Sequence, residues 1–359
     1  MLNRNILSRF YPVVLLLIVF VVWKCRKAEN DSLTMVELSG TTMGSITYSI
    51  KYFSESGINY QSSVDSLLKV WNLSLSTYIP ESEISRFNSG ANCFEYESKY
   101  FYPVVKTARE VYEKTNGAFD PTVGPLVNAW GFGPDKSMAP DSATVDSLLV
   151  LVGYDKIHFD EKKVCKDMPG MKLDFSAIAK GYAVDVVADF LTEKGAQGIL
   201  VEIGGEIVCK GRKSNGDPWR TAIEDPTVEV YDRKILAVAN LVDRAVATSG
   251  NYRNYYVKDG KKYTHTIDPA TGYPISHSLL SASVFADNCM VADAYATAFM
   301  VLGTEKAKEI LAKDPKLDAY LIYSLENGDL ATFASEGIKA SIELIPHDDE
   351  TEKEVHKQN

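Results

Sequence analysis

The chain has 359 residues, 45% of them hydrophobic and 24% charged, as expected for a globular protein that buries a large core. Its net charge of −10 argues against a nucleic-acid-binding protein, which usually presents a basic face. The cysteines are scattered and lack CxxC spacing, so we interpret Cys93, Cys165, Cys209 and Cys289 as small apolar residues rather than a zinc site or a disulfide framework.

The N-terminal region, residues 1–33, is predicted to be a membrane anchor or signal segment followed by a charged linker. Tyr11 to Trp23 is an uncharged apolar run with basic residues on both sides. Extended back to Ile6, with Arg9 reaching toward the headgroups, it nearly crosses a bilayer. No small-x-small cleavage site follows, and the residues before Cys25 fit a lipidation signal poorly. We therefore favour an uncleaved anchor over a lipoprotein.

Residues 34–345 show the patterns of both strands and helices. Alternation between Met35 and Phe53 predicts a strand or hairpin, whereas Gly117 to Pro134 is rich in glycine, proline and aromatic residues and is not expected to form a regular element. Helical spacing predicts helices at 61–73, 104–115, 141–152, 179–195, 289–302 and 305–314. Short strands are predicted at 199–203, 219–224, 235–241, 245–249, 280–285, 319–323 and 332–334.

These patterns predict a single α+β domain with an antiparallel sheet and inserted helices, because strands alternate with helices and no repeat is visible. Residues 346–359 are charged and are predicted to be a disordered tail.

Two local patterns suggest phosphoryl chemistry. His265 precedes the turn-forming pairs Asp268-Pro269 and Thr271-Gly272, which would hold it at the end of a strand. Asp293 and Thr297 are four residues apart on an alanine-rich helix, so their oxygens share a face and suit a hard cation such as Mg²⁺. Each pattern alone is more often a turn histidine or a helix cap, so the hypothesis depends on the rest of the chain.

Eight stretches spread over residues 36–335 resemble the ApbE family, the FAD:protein FMN transferases, and they occur in the same order as in that family. They are Gly40–Ser45, Ser76–Pro80 with Glu83–Asn88, Gly117–Val127, Leu173–Tyr182, Glu202–Glu206, Ala247–Gly250, the run around His265, and Ala292–Thr297. The glycine pair Gly204-Gly205 also has the ordinary interpretation of a tight turn between strands. Each stretch is weak alone, but the ordered set is a specific match.

The resemblance implies an enzyme that splits FAD, transfers FMN to a threonine or serine hydroxyl of an acceptor protein, and releases AMP. It implies that His265 is the general base, and that Asp293, Thr297 and the backbone carbonyl of Ala177 bind Mg²⁺. The residues that match family positions contacting FAD are Met43, Tyr78, Ala118, Phe119, Asp120, Asp174, Lys180 and Ile267. Plain core packing remains an alternative for Tyr78, Phe119 and Ile267, and Lys180 has two possible partners, a phosphate or the adenine edge.

Location and partners follow from the same resemblance. The family's acceptors present their hydroxyls outside the cytoplasm, which implies a protein of the bacterial inner membrane with its catalytic domain on the periplasmic side. The expected acceptor is a membrane redox subunit.

Two other functions remain open. A Mg²⁺-dependent FAD pyrophosphatase would use the same site, with water replacing the protein hydroxyl and FMN released free. A non-catalytic FAD-binding membrane protein would need neither His265 nor a metal pair, so a complete site argues against it.

Overall fold

The computed structural model describes residues 33–55, 57–133, 139–228, 234–251, 255–258 and 260–346, together with residue 19. The predicted anchor and tail therefore lie outside the described residues, apart from residues 19, 33 and 346. Within these ranges, none of the helices is both long enough and apolar enough to span a membrane.

Helices and strands alternate along the chain. The α-helices are α1 (Gln61–Leu75), α2 (Glu83–Ser89), α3 (Phe101–Lys114), α4 (Gly124–Ala129), α5 (Ser142–Leu149), α6 (Ala179–Glu193), α7 (Cys289–Leu302), α8 (Thr304–Lys313) and α9 (Glu336–Lys339). The first strands are β1 (Thr34–Thr42), β2 (Ile46–Ser54), β3 (Cys93–Glu95), β4 (Ile157–Phe159), β5 (Lys163–Lys166), β6 (Gln197–Ile203), β7 (Glu206–Lys210) and β8 (Trp219–Glu224). The later strands are β9 (Ile235–Leu241), β10 (Arg244–Gly250), β11 (Tyr255–Lys258), β12 (Lys261–Thr264), β13 (Leu279–Ala286), β14 (Asp318–Ser324), β15 (Leu330–Ala334) and β16 (Ile342–Leu344).

An eight-stranded antiparallel sheet forms the centre of the fold, in the order β1-β2-β6-β7-β10-β13-β14-β15. Side chains alternate between its two faces, as in β10, where Ala245 and Ala247 join the main core while Val246 joins a second core. Helices α1, α6 and α7 pack on the first face. A smaller sheet, β16-β9-β8, packs on part of the second face. The predicted α+β domain with an antiparallel sheet is confirmed.

Helices α6 and α7 lie unusually close together, and this contact positions the later site. A Cβ added at Gly181 of α6 would be 2.2 Å from the carbonyl oxygen of Cys289, so only glycine allows this approach. The carboxylate of Asp185 accepts the backbone N–H groups of Cys289 and Met290, each at 2.8 Å. Asp185 thus satisfies two donors at the start of α7 that have no partner within the helix.

Asp185 gives a pH-dependent prediction. Burial raises its pKa to about 7, although the hydrogen bonds from Cys289 and Met290 act in the opposite direction. In the unfolded chain an aspartate has a pKa of about 3.9. Between roughly pH 4 and pH 7 the unfolded chain therefore binds fewer protons than the folded protein, and the free energy of unfolding falls as pH rises. The uncharged side chain of Asp185→Asn does not titrate. Urea unfolding across this range should therefore show the wild type losing a few kcal/mol relative to the variant, and parallel profiles would contradict the raised pKa.

The stretch from Gly117 to Pro134 corrects one prediction. It was expected to be irregular, but it contains a 3₁₀ helix, Pro121–Val123, and helix α4. The side chain of Asp120 caps the first of these by accepting the backbone N–H of Thr122. The prolines stand in the first turns, where a helix needs no N–H donor, so they start these helices instead of interrupting them.

The cysteine prediction was wrong for one pair and confirmed for the other. Cys93 and Cys165 form a disulfide, and they stand directly opposite each other in the β3–β5 ladder with Cα atoms 4.0 Å apart. A separation of 72 residues hides this pairing in the sequence, since spacing alone does not show which strands meet. Cys209 and Cys289 are buried thiols, as predicted.

The disulfide is expected to stabilise the domain by closing a long loop. Replacing both Cys93 and Cys165 with serine should lower the free energy of unfolding by about 2–5 kcal/mol. Urea unfolding without reductant measures the effect, and wild type treated with a thiol reductant should approach the double variant. The double variant itself should not respond to reductant. Equal stability of oxidised wild type and the double variant would contradict the prediction.

Candidate active site

A cavity of about 1170 Å³ collects residues from widely separated parts of the chain. Eleven of the twelve predicted site residues line it, namely Tyr78, Ala118, Phe119, Asp120, Asp174, Ala177, Lys180, His265, Ile267, Asp293 and Thr297. Met43 is the exception, because it lies in the β1–β2 turn with φ 49° and packs against the main core. The fold therefore brings most of the predicted site residues into one cavity, although they are far apart in the sequence.

Asp293 is held in one orientation at the floor of the cavity. It is 2% exposed, and one oxygen, Oδ2, accepts the backbone N–H of Gly181 at 2.9 Å. The other oxygen, Oδ1, lies 3.8 Å from the ammonium nitrogen of Lys180. Thr297 follows one turn later on α7, with its hydroxyl 3.3 Å from that of Ser249. The predicted common face of Asp293 and Thr297 is confirmed.

Lys180 joins Asp293 to a second acid, Glu206, at a distance of 2.6 Å. Burial disfavours the charged ammonium, but the negative charges of Asp293 and Glu206 outweigh it and raise the pKa of Lys180 above its usual value. Burial also raises the pKa of Glu206 to about 7, while the ammonium of Lys180 acts against this shift. The second oxygen of Glu206, Oε2, is buried without a hydrogen-bond partner in the described part of the protein.

Glu206 is the residue that sequence reasoning did not select. It ends the stretch Glu202–Glu206, one of those that resemble the family, and it begins β7 directly after Gly204-Gly205. Both glycines have positive φ angles, 65° and 102°, and both line the cavity. The sequence signal for Glu206 was an acidic residue immediately after a Gly-Gly pair, because a tight turn fixes where the next side chain points.

The donor set fits a magnesium ion. Asp293, Thr297 and Ala177 offer a carboxylate, a hydroxyl and a backbone carbonyl in one cavity, and all three are the oxygen donors that Mg²⁺ prefers. Oδ1 of Asp293 already faces a cation, the ammonium of Lys180. The described residues include no group of three His, Cys, Asp or Glu side chains placed to hold a metal ion. A site with one carboxylate and two neutral oxygens does not require such a group.

Asp120 and Asp174 hold the loops around the cavity. Both oxygens of Asp120 accept hydrogen bonds from the protein itself, from Thr122 on one side and the backbone of Tyr154 on the other. Burial raises the pKa of Asp120, and those hydrogen bonds lower it by a smaller amount. The backbone N–H of Asp174 donates to the carbonyl of Pro121 at 2.8 Å and ties the two loops together. These bonds fix the backbone that lines the cavity.

His265 directly follows β12, so its predicted position at the end of a strand is confirmed. It is partly buried, and its ring meets that of Phe132 edge to face with centroids 6.3 Å apart. Asp268 accepts backbone N–H groups from Ala270 and Gly272 and thereby closes the turn that follows. The histidine is therefore held in a defined position on the cavity wall.

The aromatic and aliphatic site residues divide into two kinds. Tyr78 is 69% exposed, so core packing does not account for it and its ring remains accessible at the rim of the cavity. Phe119 and Ile267 are 2% and 4% exposed, which agrees with the packing alternative while still placing both on the cavity wall.

Comparison with known proteins decides the family. The model of the ApbE family matches residues 43–321. The chain belongs to the ApbE family. The FAD:protein FMN transferase of Vibrio cholerae is 40% identical over 311 residues, covering 85% of this chain and 92% of the relative. That of Haemophilus influenzae is 42% identical over 307 residues, covering 82% and 88%.

Solved ApbE structures agree with this family and fold. The flavin transferase ApbE from Vibrio cholerae is similar with a TM-score of 0.77 at 38% identity, covering 86% of this chain and 99% of that one. The apo form of the Pseudomonas stutzeri flavinyl transferase ApbE has a TM-score of 0.75 at 35% identity, covering 85% and 95%. The resemblance to ApbE proteins inferred from sequence motifs is confirmed.

Proposed function

We infer that this ApbE protein transfers FMN from FAD to a threonine or serine hydroxyl of an acceptor protein and releases AMP. The observation that carries the proposal is one cavity that holds a histidine, an oriented carboxylate with a neighbouring hydroxyl, and an exposed aromatic ring at its rim. The Vibrio cholerae and Haemophilus influenzae relatives, named FAD:protein FMN transferases, support the same activity.

The proposed reaction exchanges one phosphorus–oxygen bond for another. His265 accepts the proton of the acceptor hydroxyl, and the oxygen attacks the FMN phosphorus. The bond from that phosphorus to the bridging oxygen breaks, and the electron pair leaves with AMP. Lys180, charged and held by Glu206 and Asp293, places a positive group beside the diphosphate.

Magnesium is proposed at Asp293, Thr297 and the carbonyl of Ala177. When bound there, it supplies positive charge that offsets the negative charge building on the diphosphate oxygens. Gly181 contributes by fixing Oδ2 of Asp293, so that Oδ1 remains directed toward Lys180. Tyr78 offers a ring face for the flat flavin at the rim.

Binding and turnover are expected to separate. Since the proposed flavin contacts do not include the metal ligands, protein treated with a chelator should retain FAD, although more weakly, and should not transfer FMN. Fluorescence quenching of FAD with and without Mg²⁺ measures the binding. Failure to bind FAD under both conditions would contradict the assignment.

We also propose that the catalytic domain lies on the periplasmic side of the bacterial inner membrane, tethered by the N-terminal apolar segment. The disulfide between Cys93 and Cys165 supports an oxidising compartment, since such bonds are rare in the cytosol. The uncharged run from Tyr11 to Trp23 supports the tether. Fractionation of cells and alkylation of thiols before and after reduction test both statements.

Co-expression tests the proposed activity. Candidate membrane redox subunits are produced with and without this protein, and mass spectrometry looks for an added FMN on threonine or serine. A modified subunit only in the presence of this protein is the expected result. Free FMN and AMP with unmodified subunits would favour a pyrophosphatase, and bound FAD without cleavage would favour a binding protein.

A further inference from the structure

The active-site cavity continues beyond the proposed flavin site onto the second face of the large sheet. Ser49 and Lys51 of β2 line this extension beside their cross-strand partners Glu202 and Leu200 of β6. The small sheet packs on this same face, where Trp219 of β8 lies against Phe53 of β2, and Ser49 and Lys51 remain partly exposed on the cavity wall beside it. Strand β8 forms the side wall, and we call this extension the β8 groove.

The wall of the β8 groove is the edge of a strand. Six consecutive residues, 219–224, line the cavity. Because alternate side chains of a strand point to opposite faces, one face of β8 alone would contribute only every second residue. The edge of β8 therefore faces the groove. Trp219 and Ile223 are buried, whereas Arg220 and Ala222 between them are exposed. Across the described ranges, β8 pairs with β9 alone.

The register shows which backbone groups of β8 face the groove. Asn240 of β9 donates its backbone N–H to Ser341, on the side of β9 away from β8. Residues opposite each other in an antiparallel pair are either both bonded across the ladder or both turned away. Arg220, which is opposite Asn240, therefore turns its N–H and C=O toward the groove, and Ala222, two residues on, does the same.

We propose that the β8 groove binds the acceptor protein as an extended segment that pairs with β8 and carries the reactive hydroxyl toward His265. The proposal rests on FMN transfer to protein as the activity. An added strand would satisfy the outward groups of Arg220 and Ala222 and cover the partly exposed Ser49 and Lys51 on the neighbouring sheet face. The groove and His265 belong to one cavity, so a segment bound along β8 leads into the reaction site.

Two of the cations that line the groove already have anionic partners. Arg220 is paired with Glu343 at 2.7 Å, and Lys51 with Glu37 at 3.4 Å. Since these rim cations already have anionic partners, an acidic or phosphorylated ligand gains little from them. Recognition through the main chain fits better, because it uses the outward backbone groups of β8 and does not depend on these charges.

The test uses Ala222→Pro, which removes one outward N–H and leaves the β8–β9 ladder intact, because proline is tolerated at strand edges. Ala222→Thr keeps the N–H and is the matched control. The probe is a library of synthetic peptides, each with one threonine, incubated with FAD and Mg²⁺. The rate of FMN transfer to peptide, at limiting peptide concentration, should fall by about 2-fold to 12-fold in Ala222→Pro but not in Ala222→Thr. This is the effect expected from the loss of one backbone hydrogen bond. The dissociation constant of FAD should not change.

A second arm leaves the enzyme unchanged. The best peptide substrate is resynthesised with a methyl group on each backbone nitrogen in turn. Pairing along one strand edge predicts that transfer falls at every second position, because alternate N–H groups of a strand point to the same side. This arm decides the question if Ala222→Pro does not fold.

Three results would overturn the proposal. In the first, Ala222→Pro binds FAD more weakly but transfers FMN normally per bound FAD. In the second, methylation of the peptide nitrogens lowers transfer without a two-residue period. In the third, whole acceptor proteins gain FMN but no peptide does. The first would assign the groove to FAD. Failure of the proposed function is distinct, because no whole acceptor protein would then gain FMN.

Discussion

Asp293→Ala is expected to abolish FMN transfer while the protein remains folded. Asp293 is the one carboxylate among the proposed metal ligands, and without it the charge of the diphosphate is not offset as the phosphorus–oxygen bond breaks. Asp293→Asn should have the same effect, although its side-chain oxygen still accepts the N–H of Gly181. Formation of FMN-labelled acceptor, measured by flavin fluorescence in denaturing gels, is the readout.

Matched variants separate charge from structure. Asp287→Ala removes an exposed aspartate paired with Arg244 and should leave transfer unchanged. Thr297→Ala should also abolish transfer, whereas Thr297→Ser keeps the hydroxyl and should retain most of it. Full activity of Asp293→Ala in the presence of a chelator would end the metal hypothesis.

His265→Ala should slow transfer by roughly 10² to 10⁴, the usual contribution of a positioned general base. FAD affinity should change little, since the imidazole acts on the acceptor hydroxyl and not on the flavin. Single-turnover rates with preloaded FAD, together with FAD titration, measure the two quantities separately. His158→Ala is the control, because His158 is exposed and pairs with Asp167.

One outcome would reassign His265. If the variant loses FAD binding but transfers FMN normally per bound flavin, the histidine positions the ligand and another group is the base. Separate measurement of FAD binding and FMN transfer distinguishes the two roles for a histidine that follows β12 and lies beside Phe132.

Periodic patterns and turn residues allowed much of the fold to be predicted. Strands β8 and β9 lie where alternation placed them, and the helix pattern at 289–302 coincides with α7. These signals are local, because each depends on the side chains of one strand or helix. Strand β7 was not predicted, since it follows a two-glycine turn and its buried residues run consecutively without alternation.

The site was predictable as a set of residues but not as a geometry. The sequence placed Asp293 and Thr297 on one helix face because helical spacing is fixed. It could not show that Gly181 lets α6 approach α7, or that Lys180 lies between Asp293 and Glu206. Those contacts join segments far apart in the chain, as does the disulfide, and only the tertiary fold determines them.

The most direct test of the proposed activity is the ratio of products in a purified reaction containing this protein, FAD, Mg²⁺ and an acceptor that gains FMN in co-expression. Chromatography measures AMP and free FMN, and mass spectrometry measures protein-bound FMN. A transferase should give AMP and protein-bound FMN in equal amounts, with little free FMN. AMP accompanied by an equal amount of free FMN, with the acceptor unmodified, would contradict the transferase and show a hydrolase instead.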